Sequence, residues 1–571
     1  MVHLFRRPTL PLLLILVIHL GLLVPTVTRQ GISWDEQTDL DITRAYLNPG
    51  GWLRGSPLDL SQTRLPHASV ALIYTLTGTS DLITARLVSV LVGLLTLVGV
   101  YVYCRPRFGM AVALLAAGLL ATSPFYLSFA RVAFTETDIY LACILIYLLI
   151  ALDHFRLQPN LGLAAGVGLL LGLALSAKFT TLSIIPAVVY AVFQGKRGNI
   201  SPDLSHVNRY QVGGVVAAVC TLVIAGLAVA NTLLSGTGAY HYRLPAFLLL
   251  LLGWLLGLAW LARHRDQTSS PILLSVLIVS LAFLTFFLTP PDHLTNPAIL
   301  NSLLDRFQNE VRYNLVFMIE AAGLHVFSTL FKSSPLIGLW LLLSWLLILP
   351  QWRRPELRAP ILVSWLYFGG LLLLPLAQTF YVIPILPILT IFAAERFFYF
   401  AAHWRWPVYS LGIAAAIFLV ADLVTCYPDY NLNGYQWLGA RQLLGRPSIG
   451  YRSVVQTPSD GVEQVIYWLN GHAAPGDQVT SYLLEEHIVN ATAPEPQYQI
   501  INGFSNPGPP TTQYVVTEIN TAIPQSWWRQ NTSSLRIENP WNSWLNNHYT
   551  KAFSIQRAFG IEMAAVWKKK Q

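Results

Sequence analysis

Long apolar runs separated by short polar turns dominate the first 427 residues. A run of about 17–25 apolar residues crosses roughly 30 Å of hydrocarbon at 1.5 Å per helical residue. Such runs are centred near residues 18, 92, 118, 142, 168, 186, 222, 254, 280, 343, 368, 389 and 417, which predicts about 13 transmembrane helices. Two longer intervals interrupt the pattern, at about 29–65 and 290–334. After residue 427 the pattern itself changes. Turn-rich stretches such as Ala473-Ala474-Pro475-Gly476-Asp477 alternate with short β-like runs, Tyr514–Ile519 and Ala564–Trp567, and predict a small soluble α/β domain over 428–571. The expected fold is therefore mainly α, a multi-span membrane domain over 1–427 followed by that domain. No fixed-period repeat is present, which argues against a solenoid.

Composition adds a reason for the bilayer. At 54% hydrophobic and 11% charged residues, with mean hydropathy +0.51, there is more apolar surface than a soluble core absorbs. The net charge of +8 reads as topology and not as a nucleic-acid partner, because Lys and Arg collect in short cytoplasmic connections. Arg6, Arg7, Arg105, Arg107, Arg156, Arg354, Arg358 and Arg396 all fall on one side if the N-terminus is inside. The two long intervals and, for an odd span number, the tail then lie outside, at the plasma membrane. Arg6-Arg7 and the apolar run to Thr28 resemble a signal peptide, but the run is about 20 residues long and no clear small-residue cleavage site follows, so a retained first helix is expected. The four cysteines lie in or beside apolar segments and none is in the tail, which implies neither a disulfide framework nor a cysteine metal site.

Three groups of ionisable residues fall at expected outer span ends. The first outer interval carries Trp34-Asp35-Glu36, with Asp39 and Asp41 close behind. A carboxylate there suits a general base that takes a proton from a hydroxyl nucleophile; Ser33 and Asp35 are equally good helix-capping types, and capping explains the cluster on spacing alone. The second group is Arg131, Glu136 and Asp138 at the junction of the third and fourth spans. Three ionisable groups at a bilayer edge are costly unless they face a cavity or one another. The third is Lys178, between two apolar runs, either a lysine snorkelling to the surface or, with Arg131, a binding site for an anionic phosphate at low dielectric. His67 and His325 are further candidates, each also explained as a structural or interface residue. HExxH, paired CxxC, P-loop and GxSxG patterns are missing from the sequence, so a nucleotide-driven pump or serine hydrolase has no support.

Taken in order, these features resemble the protein O-mannosyltransferases and aminoarabinose transferases, the family-39-like C-type glycosyltransferases. Trp34-Asp35-Glu36 resembles the family's acidic pair in the first outer loop. His67 through Ala85-Arg86-Leu87-Val88-Ser89 to Phe108-Gly109 is similar to its second span and turn, Ser123-Pro124 with Ser128–Asp138 to its third-to-fourth junction, and Gly172-Leu173-Ala174 to Lys178 to its Gly-Leu-Ala…Lys hairpin. Tyr381-Val382-Ile383-Pro384-Ile385-Leu386-Pro387 resembles a late Tyr-x-x-Pro-x-x-Pro signature, but Gln378, Thr379 and Phe380 stand where a basic residue is expected before the tyrosine.

The resemblance implies a polyprenyl- or dolichyl-phosphate sugar donor and a protein, lipid or glycan acceptor on the outer face. It also implies inverting transfer with Asp35 as base, Glu36 positioning the acceptor or the loop, and Arg131 and Lys178 holding the departing phosphate. It implies no cofactor, and lone outer carboxylates leave a divalent metal open. A lipid or solute transporter without transferase activity also needs many spans, but transporters place coupling residues at the bilayer midplane on interrupted helices, and here the charges sit at span ends. A membrane scaffold presenting its tail to a partner is a third reading.

Overall fold

The computed structural model describes residues 10–28, 34–49, 51, 65–133, 138–194, 271–288, 315–373, 379–427, 430, 462–481, 498–502, 510–518, 542–556 and 562–570. The helices follow the apolar runs. They are α1 Leu10–Leu23, α2 Trp34–Leu47, α3 Leu65–Thr77, α4 Leu82–Phe108, α5 Met110–Ala121, α6 Pro124–Ala130, α7 Asp138–Leu157, α8 Leu161–Ala177 and α9 Ile185–Phe193. Then come α10 Pro271–Leu288, α11 Leu315–Lys332, α12 Pro335–Leu347, α13 Pro355–Leu373, α14 Leu386–His403 and α15 Arg405–Cys426, and in the tail α16 Val462–His472 and α17 Asn542–His548. The expected centres near 222 and 254 lie outside the described residues; the other eleven fall within helices. Among the described residues four helical segments are long and apolar enough to cross a membrane, or five if the pair α5 and α6, bent by 63°, counts as one. The chain is an integral membrane protein.

The interval 29–65 contains α2, and its C-terminal edge opens α3. In 290–334 the second half forms α11, which packs against α12, α13 and α6. Both helices carry enough polar residues to break an apolar scan while still burying one face.

Local chemistry sets several helix ends. Asp81 caps α4, accepting from the Thr84 amide at 2.8 Å and its hydroxyl at 2.9 Å, as side-chain caps do for exposed N-terminal amides. Burial pushes the Asp81 carboxyl up, but these Thr84 hydrogen bonds outweigh it and hold it below its ordinary range. Ser123 caps α6 with Pro124 in its first turn, which allows the sharp bend after α5. At α8 the small residues permit close helix approach. A Cβ at Gly172 would fall 2.4 Å from the Ala282 carbonyl oxygen and 2.5 Å from Thr285 Cβ of α10, and one at Gly168 would meet Ile278 backbone at 2.9 Å. Gly172→Leu is therefore expected to destabilise by at least the ~1–3 kcal/mol typical of overpacking. Gly166→Ala on the same helix, with nothing within 4 Å, is expected to be neutral or slightly stabilising. Thermal unfolding of detergent-solubilised protein distinguishes the two.

The bundle carries charge at both ends and apolar side chains between. At one end of α4 is Arg86; at the other, 21 residues or about 32 Å along at 1.5 Å each, is Arg107, paired with Asp153. There Asp153 also holds Arg156 at 2.9 Å, and Glu395 is shared by Arg354 at 2.6 Å and by Arg396. This is the end that the basic connections predict to be cytoplasmic. The separation matches the thickness of a hydrocarbon layer.

In the tail, β1 Gln478–Ser481, β2 Gln499–Asn502, β3 Tyr514–Glu518, β4 Tyr549–Gln556 and β5 Glu562–Lys569 form one sheet in the order β2-β1-β3-β5-β4. The first three strands pair parallel, the last two antiparallel to their neighbours. Alternation sorts the faces. Val516, Ala564 and Val566 pack under Val465, Ile466 and Leu469 of α16, while Val515, Ala565 and Trp567 pack with Leu545 of α17.

Candidate active site

Most of the ionisable residues singled out in the sequence come together at the Arg86 end of the bundle. Glu36, in the first turn of α2, is fully buried and forks both oxygens onto Arg86, at 2.8 Å to Nε and 2.7 Å to Nη2. One oxygen also accepts from the Ala133 amide at 2.8 Å, and Arg86 Nη1 donates to the Val27 carbonyl at 2.6 Å. A bidentate pair with its remaining sites hydrogen-bonded meets the condition under which buried charges are tolerated. Three chain segments meet at this one pair: the end of α1, the start of α2 and the turn after Arg131. Of the two roles expected for Glu36, holding the acceptor or fixing the loop, the geometry serves the second. Arg86 was legible only as part of a resemblance; the signal that marks it is a lone arginine in the first turn of an apolar span, which must find an acid elsewhere.

Asp35 lies one residue before Glu36 in that turn, so the same clamp fixes its backbone; its side chain, like Glu136, lies outside the described residues. Further along α2, Asp39 accepts from His67 Nε2 at 2.8 Å, with both side chains buried. His67 thus ties α2 to α3, while Ser69 of α3 donates to the Tyr140 hydroxyl of α7 at 3.0 Å. Leu40, Val70, Tyr74, Ala85 and Ala133 form a small apolar core beneath this layer.

Lys178 ends α8 in extended backbone. It does not snorkel. Its ammonium lies 2.8 and 2.9 Å from the two oxygens of Asp138, the first residue of α7, and 3.7 Å from the centre of the Tyr381 ring. Tyr381 stands in the 3₁₀ turn Thr379–Ile385 that leads into α14, so three separate helix ends converge on one cation. Arg131, buried at the C-cap of α6, has its guanidinium 5.3 Å from the centre of the Tyr430 ring, and Tyr430 donates to the Leu22 carbonyl of α1 at 3.3 Å. His325 is fully buried on α11, edge-on to Phe368 at 6.1 Å. Among the described residues no three His, Cys, Asp or Glu side chains converge as a metal site.

Residues 65–225 match the dolichyl-phosphate-mannose-protein mannosyltransferase family. The match covers less than a third of the chain. Arg86, Arg131, Asp138 and Lys178 all lie within the matched segment. No curated protein matches the sequence. Among solved structures the chain is similar to ArnT from Cupriavidus metallidurans bound to undecaprenyl phosphate, at 13% identity and TM-score 0.43 over 97% of both chains. It is also similar to the Archaeoglobus fulgidus oligosaccharyltransferase in complex with zinc and sulfate, at 14% identity and TM-score 0.44, over 90% of this chain and 68% of that one.

Proposed function

We propose that this protein transfers a hexosyl or pentosyl group from a polyprenyl- or dolichyl-phosphate donor to an acceptor hydroxyl on protein, lipid or glycan, at the outer face of the membrane. The carrying observation is the gathering of Arg131, the Lys178–Asp138 pair and the clamped start of α2 at one bundle end, with the first two groups inside the matched family segment. In this reading Asp35 takes the acceptor proton, the acceptor oxygen attacks the anomeric carbon with inversion, and polyprenyl phosphate departs. Arg131 and Lys178 meet the leaving phosphate, a cationic role effective in a water-poor site; Asp138 and Tyr381 hold the Lys178 ammonium in place. The tail over 428–571 stands on the same outer side as the site.

Reconstitution with labelled polyprenyl-phosphate sugars tests the reaction: label on an acceptor supports it, and lipid movement without transfer, or neither, overturns it. The phosphate site has its own test. Arg131→Gln is expected to lower kcat/KM for the donor by about 10²-fold, the usual loss on removing one donor to a developing anion. Lys178→Met leaves Asp138 buried and unpaired, so it is combined with Asp138→Asn. Unchanged donor use in both variants would remove the phosphate site.

A further inference from the structure

Helix α11 is amphipathic in the reverse of the sense expected in water. His325, Ser328, Thr329 and Lys332 follow the i, i+3, i+4, i+7 spacing of one helix face, and each is at most 2% exposed. On the other side Ile319 is 63% and Val326 41% exposed. An apolar outer face suits lipid, and a polar inner face is retained in such a setting only where it meets other polar groups or a ligand.

Helix α11 packs against the turn Thr379–Ile385, whose Tyr381 ring meets the Lys178 ammonium, and against α6, which ends at Arg131. His325 stands on the polar inner face, edge-on to Phe368. At the C-terminal end of α11 the Lys332 ammonium lies 5.9 and 6.0 Å from the ring centres of Phe125 and Phe129 on α6. Ser333 and Ser334 follow, both fully buried, and Ser334 has φ 73°, a left-handed conformation unusual for serine that tends to be kept at functional positions. Neither ring nitrogen of His325, nor the hydroxyl of Ser333 or Ser334, has a hydrogen-bond partner among the described residues. Buried polar groups are normally satisfied, and unsatisfied ones on one helix face and in the turn that follows it are what a bound polar molecule completes.

We propose that His325, with Ser333 and Ser334, recognises the hydroxyl groups of the donor's sugar ring and so sets sugar specificity. This rests on the reading of the chain as a lipid-phosphate-sugar transferase. The chemistry separates ring from phosphate: a neutral imidazole and a hydroxyl both donate and accept, as sugar hydroxyls do, whereas a phosphate only accepts and is matched by Arg131 and Lys178.

The test compares wild type, His325→Phe and Ser333→Ala in proteoliposomes against a panel of polyprenyl-phosphate sugars differing at single hydroxyls, with sugar-free polyprenyl phosphate as competitor. His325→Phe keeps ring volume beside Phe368 and removes the unsatisfied nitrogens, so its thermal stability should be equal or higher. Its kcat/KM for the preferred sugar should fall about tenfold, the usual weight of one hydrogen bond, while a donor lacking the recognised hydroxyl loses little and inhibition by sugar-free lipid is unchanged. A uniform loss over all donors, an equal loss of sugar-free lipid binding, or no change overturns the inference. If wild type transfers no sugar at all, the transferase reading fails first, and the panel separates that outcome from this one.

Discussion

Replacing Asp35 by Asn is expected to lower transfer at saturating donor by about 10²–10⁴-fold, the range for loss of a general base, or roughly 3–5 kcal/mol of transition-state stabilisation. Asparagine keeps the size and most of the hydrogen bonding of aspartate but takes no proton. Capping forecasts the opposite result, because Asn caps a helix about as well as Asp, so a purely capping Asp35 gives a nearly silent variant. The measurement is single-turnover transfer by the reconstituted protein, with insertion and thermal stability followed alongside. A rate within about threefold of wild type, far below the general-base range, would return this turn to a structural role.

Breaking the Glu36–Arg86 pair should instead show first in stability. Both side chains are buried, and removing one partner of such a pair costs about 3–5 kcal/mol because the other charge is stranded. Glu36→Gln and Arg86→Met are each expected to unfold at markedly lower temperature. The double variant Glu36→Gln/Arg86→Met is expected to recover much of that loss while remaining slow, since the start of α2 and hence Asp35 are no longer tied to the Ala133 turn. Catalysis that recovers together with stability would show that the clamp supports folding alone. Equal losses in the single and double variants would mean that the two residues are not energetically coupled.

Period and length were enough to read from sequence that the chain is mainly helical with a small sheet in its tail. An apolar run long enough to cross a bilayer has few alternatives to a helix, and the short apolar runs in Tyr514–Glu518 and Glu562–Lys569 read as strands buried on both faces. The ionisable candidates were legible too, because a charge at the edge of an apolar run is costly and so conspicuous. What the sequence could not supply was partnership. Glu36 is 50 residues from Arg86, Lys178 is 40 from Asp138, and Tyr381 reaches Lys178 from a distant turn. Which charge neutralises which depends on how span ends meet, and no local spacing encodes that. The same limit hid α11: its sequence looks broken for a span because its polar residues stand among apolar ones, and only the surrounding helices decide which face is inside. Sequence alone thus determined that charge would stand at the membrane edge. Tertiary packing decided that Glu36 is a clamp, that Lys178 is held by Asp138, and that His325 is buried beside Phe368, because a buried charge or imidazole takes its role from neighbours brought together across the fold.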